Sequence, residues 1–324
     1  MLSLFRTNQS YASLFLFGYA LLLQLPVFFF DVPVVTEDYT YYGGWLVTGV
    51  SRSYWLATLA PPVLVALAGI AANAVCSRYR FARTVTQFPG LGVVLVWGLC
   101  PAFHFFDPQL LTHLFLLLAI GALSSTYKGR SMEVARFNAG WWLGLASLLV
   151  PAYLLFIPCF IVGISIFRTA DLRAIGQLLG GVVIAYFLAG TYAYWRGDFL
   201  DWYALQLGGF GLLQLGAAAP YVLGGLALLV LPLLIVLLTS ERGRLLLNIE
   251  GSKNVSFAYW VLLFTLPVVA CMATVRAAGA QVLMVPLGLL FGLWLGRQEE
   301  AQAEFYHLIL FAAALALLVA ALIH

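Results

Sequence analysis

The chain has 324 residues, 63% of them hydrophobic and only 9% charged, with a formal net charge of +3 and a mean hydropathy of +0.99. A soluble globular domain carries about 25% charged residues, so this composition excludes a water-solvated globule and makes lipid the solvent for most of the chain. No basic run is long enough to bind nucleic acid, and the cysteines (Cys76, Cys100, Cys159, Cys271) form no CxxC pair and no metal spacing.

At about 20 apolar residues per crossing, the length accommodates roughly ten to twelve helices. The first predicted span runs from Tyr11 to Phe30. It follows a single basic residue, Arg6, and no small-x-small cleavage site ends it, so it reads as a retained span and not as a signal peptide. Further spans are predicted over Tyr54–Cys76, Pro89–Phe106 and Gln109–Tyr127. The apolar stretch Phe137–Phe167 is too long for one helix and is divided at Pro151, because proline removes a helix donor and restricts the residue before it. The remaining spans are Ala174–Tyr194, Ala218–Thr239, Val255–Val275, Gln281–Gly296 and Phe305–Ile323. Between Tyr194 and Ala218, the Gly-rich piece Phe199–Leu215 is predicted as a re-entrant or interfacial helix, since a full span there would invert everything after it. The expectation is an all-α, polytopic bundle of about 11 spans, one integral membrane domain over residues 1–324, with the N-terminus in the cytoplasm.

Charge tests this map independently. With the N-terminus inside, 13 of the 16 basic residues fall on cytoplasmic segments, and only Arg52, Arg196 and Arg276 face outward. The acidic residues divide six outside and seven inside. Basic residues set orientation and acidic ones contribute little, so this is the pattern of a multi-pass protein of the bacterial inner membrane. A single span over Phe137–Phe167 would put every later loop on the wrong side.

Three polar constellations lie on the outward segments. Asp31, Glu37 and Asp38 sit in the first outward loop, Asp31–Ser53. A carboxylate at a membrane mouth can deprotonate an acceptor hydroxyl or hold a divalent cation against a lipid diphosphate; it can equally keep a loop solvated. His104, Asp107 and His113, with Gln109 and Thr112, cluster at the tip of a helical hairpin turning at Asp107-Pro108, a polar tip that could bind a metal or orient a phosphate. Arg196, Asp198 and Asp201 follow the seventh span. Outward arginine is scarce here, and arginine bonds phosphate in bidentate fashion or simply reaches lipid headgroups. Span centres hold no Asp, Glu, Lys or Arg, which argues against a proton-driven pump.

The opening Phe5-Arg6-Thr7-Asn8-Gln9, the acidic outward loop, the segment Gly140-Trp-Trp-Leu-Gly144-Leu-Ala-Ser147 leading to Pro151, and the short terminal pair around Pro286 resemble an uncharacterised family of bacterial polytopic inner-membrane proteins. More distantly, the chain resembles the membrane region of the GT-C superfold of glycosyltransferases. That resemblance implies a transferase using a sugar linked to polyprenyl phosphate on the outer face. Glu37 or Asp38 would be the catalytic acid-base residue, and Arg196 or Arg276 would hold the phosphate, with His104 and His113 as further substrate contacts and a divalent cation as a conceivable cofactor. The first outward loop is shorter than the pattern and no soluble outward domain follows. Two other readings therefore stand beside it: a non-catalytic membrane subunit or scaffold of an envelope assembly or secretion complex, with membrane-protein partners, and a lipid or small-solute facilitator.

Overall fold

A computed structural model of the chain describes residues 2–6, 10–29, 39–127, 132–208, 210–211, 220–240, 247–272 and 277–323. Among these residues the protein is helical, with no strand and one isolated antiparallel bridge, Phe210 to Met272. The helices are α1 (Ser3–Arg6), α2 (Ser10–Gln24), α3 (Tyr41–Ser51), α4 (Tyr54–Arg78), α5 (Phe88–Gly98), α6 (Gln109–Ser124), α7 (Met132–Leu149), α8 (Phe156–Phe167), α9 (Leu172–Arg196), α10 (Phe199–Gly208), α11 (Pro220–Leu238), α12 (Ile249–Ala270), α13 (Met284–Leu295) and α14 (Glu300–Ile323). Six helical stretches are long and apolar enough to cross a membrane: Tyr11–Phe29, Tyr54–Arg78, Gln109–Tyr127, Leu172–Arg196, Ile249–Ala270 and Glu300–Ile323. Shorter apolar helices cover Phe88–Gly98, Pro151–Phe167, Leu223–Leu238 and Gly279–Leu295. Most of these ranges overlap the predicted spans, but Pro89–Phe106 holds only the 11-residue α-helix Phe88–Gly98, and the helix predicted to begin at Val255 begins at Ile249.

Two of the short helices form the centre. Every residue of α5 is buried, as is all of α13 except Trp294. They meet backbone to backbone: a Cβ on Gly92 would strike Gly288 and Gly292, and one on Gly292 would strike the Phe88 carbonyl. Between lipid-solvated helices there is no hydrophobic force to drive association, so close packing of small residues replaces it. The pair α7 and α9 repeats the device, with Gly140 against the Leu178 carbonyl and Gly181 against Phe137 and Trp141.

Short 3-10 turns, two of them opened by proline, set one end of the bundle. Val150 is extended (φ −136°, ψ 99°) before Pro151, and a 3-10 turn over Pro151–Leu155 then restarts the chain as α8, as the steric restriction on a residue before proline requires. The Phe137–Phe167 stretch is therefore two helices. Comparable 3-10 turns over Pro101–His104 and Ala277–Leu283 end α5 and begin α13, and they pack on each other.

The structure adds one element between the first two predicted spans. Residues 41–51 form α3, started by Thr40, whose hydroxyl accepts from the Gly43 N–H at 3.2 Å and donates to the Leu149 carbonyl at 2.9 Å. The loop thus doubles back onto the end of α7. The piece predicted over Phe199–Leu215 begins as α10, ten residues long, about 15 Å at 1.5 Å per residue and too short to cross. It lies against α9, held by Gln206, which donates to the Ser147 carbonyl at 2.7 Å and to the Tyr186 hydroxyl at 3.1 Å.

Candidate functional site

Arg196 is the last residue of α9. The helix starts at Asp171, whose carboxylate accepts from the Ala174 N–H at 2.8 Å, and stops at Gly197 (φ +83°). Only glycine adopts that left-handed conformation freely, so the helix ends directly after the arginine and presents its guanidinium at the rim. Beneath it, Tyr41, Leu148, Ala193 and Trp202 form a small apolar cluster separate from the main core. That cluster ties α3, α7, α9 and α10 together and fixes the height at which Arg196 emerges.

Four groups surround the guanidinium. Its carbon stands 5.0 Å from the centre of the Trp45 ring, a cation-π distance. Nε lies 3.6 Å from an Asp198 carboxylate oxygen, too long for a hydrogen bond. The Tyr41 hydroxyl donates to that same carboxylate oxygen at 2.6 Å, and the Tyr192 hydroxyl interacts with the guanidinium. Arg196 remains half exposed. A loose ion pair of this kind contributes little to stability and leaves guanidinium donors for an anion.

Trp45 and Tyr192 also line an open groove of about 630 Å³ running between α3, α6, α7 and α9. Its walls include Leu111, Phe115, Trp141 and Leu188, and almost all of its lining is apolar. The volume is that of a pocket for a small organic ligand or a stretch of lipid chain. An apolar trough with one cation at its mouth suits a molecule with a long hydrocarbon tail and an anionic head.

The hairpin constellation is present but dispersed. His104 is buried in the Pro101–His104 turn, with Nδ1 2.9 Å from the Gln24 Oε1 and its ring tilted over Trp97. Gln24 in turn donates to the His104 carbonyl at 3.0 Å. Gln24 thus holds that histidine twice, while the imidazole Nε2 is buried without a hydrogen-bond partner among the described residues. His113 is fully buried in α6, and neither ring nitrogen has a hydrogen-bond partner among the described residues. Asp107 sits at the turn, where its carboxylate accepts from the Gln109 N–H at 2.7 Å. Burial pushes its pKa up to about 6, against the pull of that N–H. Tyr39 lies close enough for its own titration to be raised, first by burial and then by the Asp107 charge. Among the described residues, no group of three or more His, Cys, Asp or Glu gathers in a way that could hold a metal ion.

Asp31, Glu37, Asp38 and Arg276 lie outside the described residues. Arg52 closes α3 as its exposed C-cap, and Asp201 is exposed on α10. Sequence reasoning grouped Arg196 with Asp198 but missed the aromatic partners Tyr41, Trp45 and Tyr192 that complete the site. The signal was Tyr41-Tyr42 followed by Trp45, one helical turn on, behind a Thr N-cap.

No protein-family model matches the chain, and no curated protein sequence does. Among solved structures, the coordinates resemble those of ArnT from Cupriavidus metallidurans bound to undecaprenyl phosphate, at 12% sequence identity and a TM-score of 0.48. ArnT is a GT-C glycosyltransferase. The match covers 84% of this chain and 52% of ArnT, so the chain spans about half the length of that structure. The match is a loose likeness of helix arrangement, and it assigns no substrate and no residue role.

Proposed function

We propose that this chain is a GT-C-like membrane transferase that binds a lipid phosphate of the polyprenyl class in the α3–α6–α7–α9 groove, with Arg196 holding the phosphate. One observation carries the reading: an exposed guanidinium stacked on Trp45 stands at the mouth of a trough about 630 Å³ in volume and lined almost wholly by apolar side chains. A planar, permanently charged guanidinium matches a phosphate in bidentate geometry, and the trough takes the hydrocarbon that water rejects. The bundle is placed in a bacterial inner membrane, crossing about eleven times with the N-terminus inside, which sets Arg196 on the outer face.

In the transfer step, the Glu37 or Asp38 carboxylate takes the proton of the acceptor hydroxyl. The acceptor oxygen attacks the anomeric carbon of the donor sugar, the bond from that carbon to the phosphate oxygen breaks, and the lipid phosphate leaves with the electron pair beside Arg196. Asp107, its pKa raised by burial, lies beside Tyr39, the residue that follows Asp38 in the chain, and this supports placing the reacting centre at this end of the bundle.

The test uses the full chain reconstituted in nanodiscs with a photoreactive polyprenyl phosphate analogue. Labelling is expected in the groove and should fall by at least about ten-fold in Arg196→Gln, as loss of a bidentate charged contact implies. Leu188→Trp, which fills the exposed groove wall, should also block it. Glu37→Gln with Asp38→Asn should leave labelling intact while abolishing complementation of a deletion strain. Labelling that is equal in wild type, Arg196→Gln and Leu188→Trp would remove the lipid-phosphate assignment.

A further inference from the structure

A second cationic cavity lies at the opposite end of the molecule. It encloses about 600 Å³ between the end of α4 and the start of α12 and is lined by Ser77, Arg80, Ala82, Arg83, Val85, Leu247 and Asn248. The 25 residues of α4 span about 37 Å, and that helix begins beside α3, which carries Trp45. The two cavities are therefore separated by roughly the thickness of a bilayer.

The wall of this cavity is rigidly made. Phe81 is fully buried, and its N–H donates to the Cys76 carbonyl at 3.0 Å. Asn254 donates to the Tyr79 carbonyl at 2.7 Å. Gly251 lies so close to the turn that a Cβ there would come within 2.6 Å of the Arg80 carbonyl. Pinned on both sides, Arg80 takes a left-handed conformation (φ 55°), unusual for a residue with a side chain. Both Arg80 and Arg83 are exposed, and neither makes an ion pair or side-chain hydrogen bond among the described residues. Glu250, in the first turn of α12, has an interaction of its own. Asn248 caps α12 through the Gly251 N–H at 2.8 Å, and the positive end of that helix adds to the field of the two arginines.

We infer that this cavity binds the phosphate of an anionic membrane-lipid headgroup, at the bundle end opposite the Arg196 groove. Two exposed guanidiniums, one of them on a pinned backbone, give donors for phosphate oxygens, while the Ser77 hydroxyl beside them donates to the Ala74 carbonyl at 3.1 Å. Lipid, and not a soluble phosphate, is favoured by what flanks the donors: Val85 is 38% exposed and Ile249 71% exposed, so the rim offers apolar surface to the glycerol and upper chains. Held backbone lowers the ordering cost of binding.

Native mass spectrometry of the detergent-released full chain tests this, after reconstitution in phosphatidylcholine with or without phosphatidylglycerol. The wild type should retain one phosphatidylglycerol, in preference to phosphatidylcholine. Arg80→Gln with Arg83→Gln should lower that retention by at least about ten-fold, and Arg80→Lys with Arg83→Lys should give an intermediate loss. Arg173→Gln, at an exposed arginine paired with Glu133, should retain lipid as the wild type does. Melting of the glutamine variant in lipid-free detergent should match the wild type, which separates lost binding from lost folding. Arg196→Gln should leave this retention untouched, so the two sites fail independently. Equal retention in wild type and the glutamine variant, or complete displacement by millimolar inorganic phosphate, would overturn the inference.

Discussion

At the residue scale, Asp107 shows how position near the bilayer changes chemistry. Its carboxyl accepts the Gln109 N–H, which favours the charged form, yet burial outweighs that contact and moves the pKa to about 6. The unfolded value is about 3.9. A group raised on folding binds its proton more tightly in the native state, so its contribution to stability is present below about pH 4 and is lost as pH rises through about 6. Thermal melting in detergent should accordingly show stability falling across that window. In Asp107→Asn, which keeps the acceptor oxygen for the cap, this slope should vanish; a slope unchanged in the variant would assign the titration to another group. Arg196 was legible from sequence because outward arginine is rare in this chain. The trough beside it was not, because Leu111, Phe115, Leu145 and Leu188 are of the same chemical kind as residues that face lipid. Only their convergence from three helices distinguishes a binding wall from an ordinary span.

At the scale of elements, the sequence announced breaks better than additions. Pro151 marks the boundary between α7 and α8 through a steric rule that holds in any context. The helix α3 went unseen, since an eleven-residue helix carrying two adjacent glycines has weak intrinsic propensity and is held by tertiary contacts: Tyr41 to Asp198 and Tyr42 to the Ala189 carbonyl at 2.7 Å. Glycine's role in the pairing of α7 with α9 was only partly visible. Gly-rich spans suggested close packing, but which glycine meets which carbonyl depends on the crossing. Gly140→Ala puts a methyl group against the Leu178 carbonyl. Backbone cannot step aside as a side chain can. Overpacking costs about 1–3 kcal/mol, set against about 1 kcal/mol of improved helix propensity. The variant should melt lower than the wild type in detergent; an equal or higher melting temperature would show that α7 and α9 can slide apart freely.

For the whole molecule, we propose the topology that arginine placement favours, with the turn from Arg78 to Arg83 inside and the Arg196 rim outside. Thr84 is exposed next to that turn. In a Cys271→Ser background, whose other cysteines are buried, a Thr84→Cys chain in intact cells should react with an impermeant maleimide only after the membrane is opened. Reaction without opening would invert the map and move both cavities to the other side. The order of spans was legible because hydropathy and charge are read one segment at a time. The sites were less so, because each draws on elements far apart in the chain.

The buried pair at the centre bears on how the bundle answers to its bilayer. At 11 and 12 residues, α5 and α13 are about 17–18 Å long, against a hydrocarbon layer of about 30 Å. Wrapped in protein, they need not match that thickness. A thicker or thinner bilayer acts on the peripheral helices that meet it, through tilt and stretch, while the glycine seam between α5 and α13 is insulated from the mismatch.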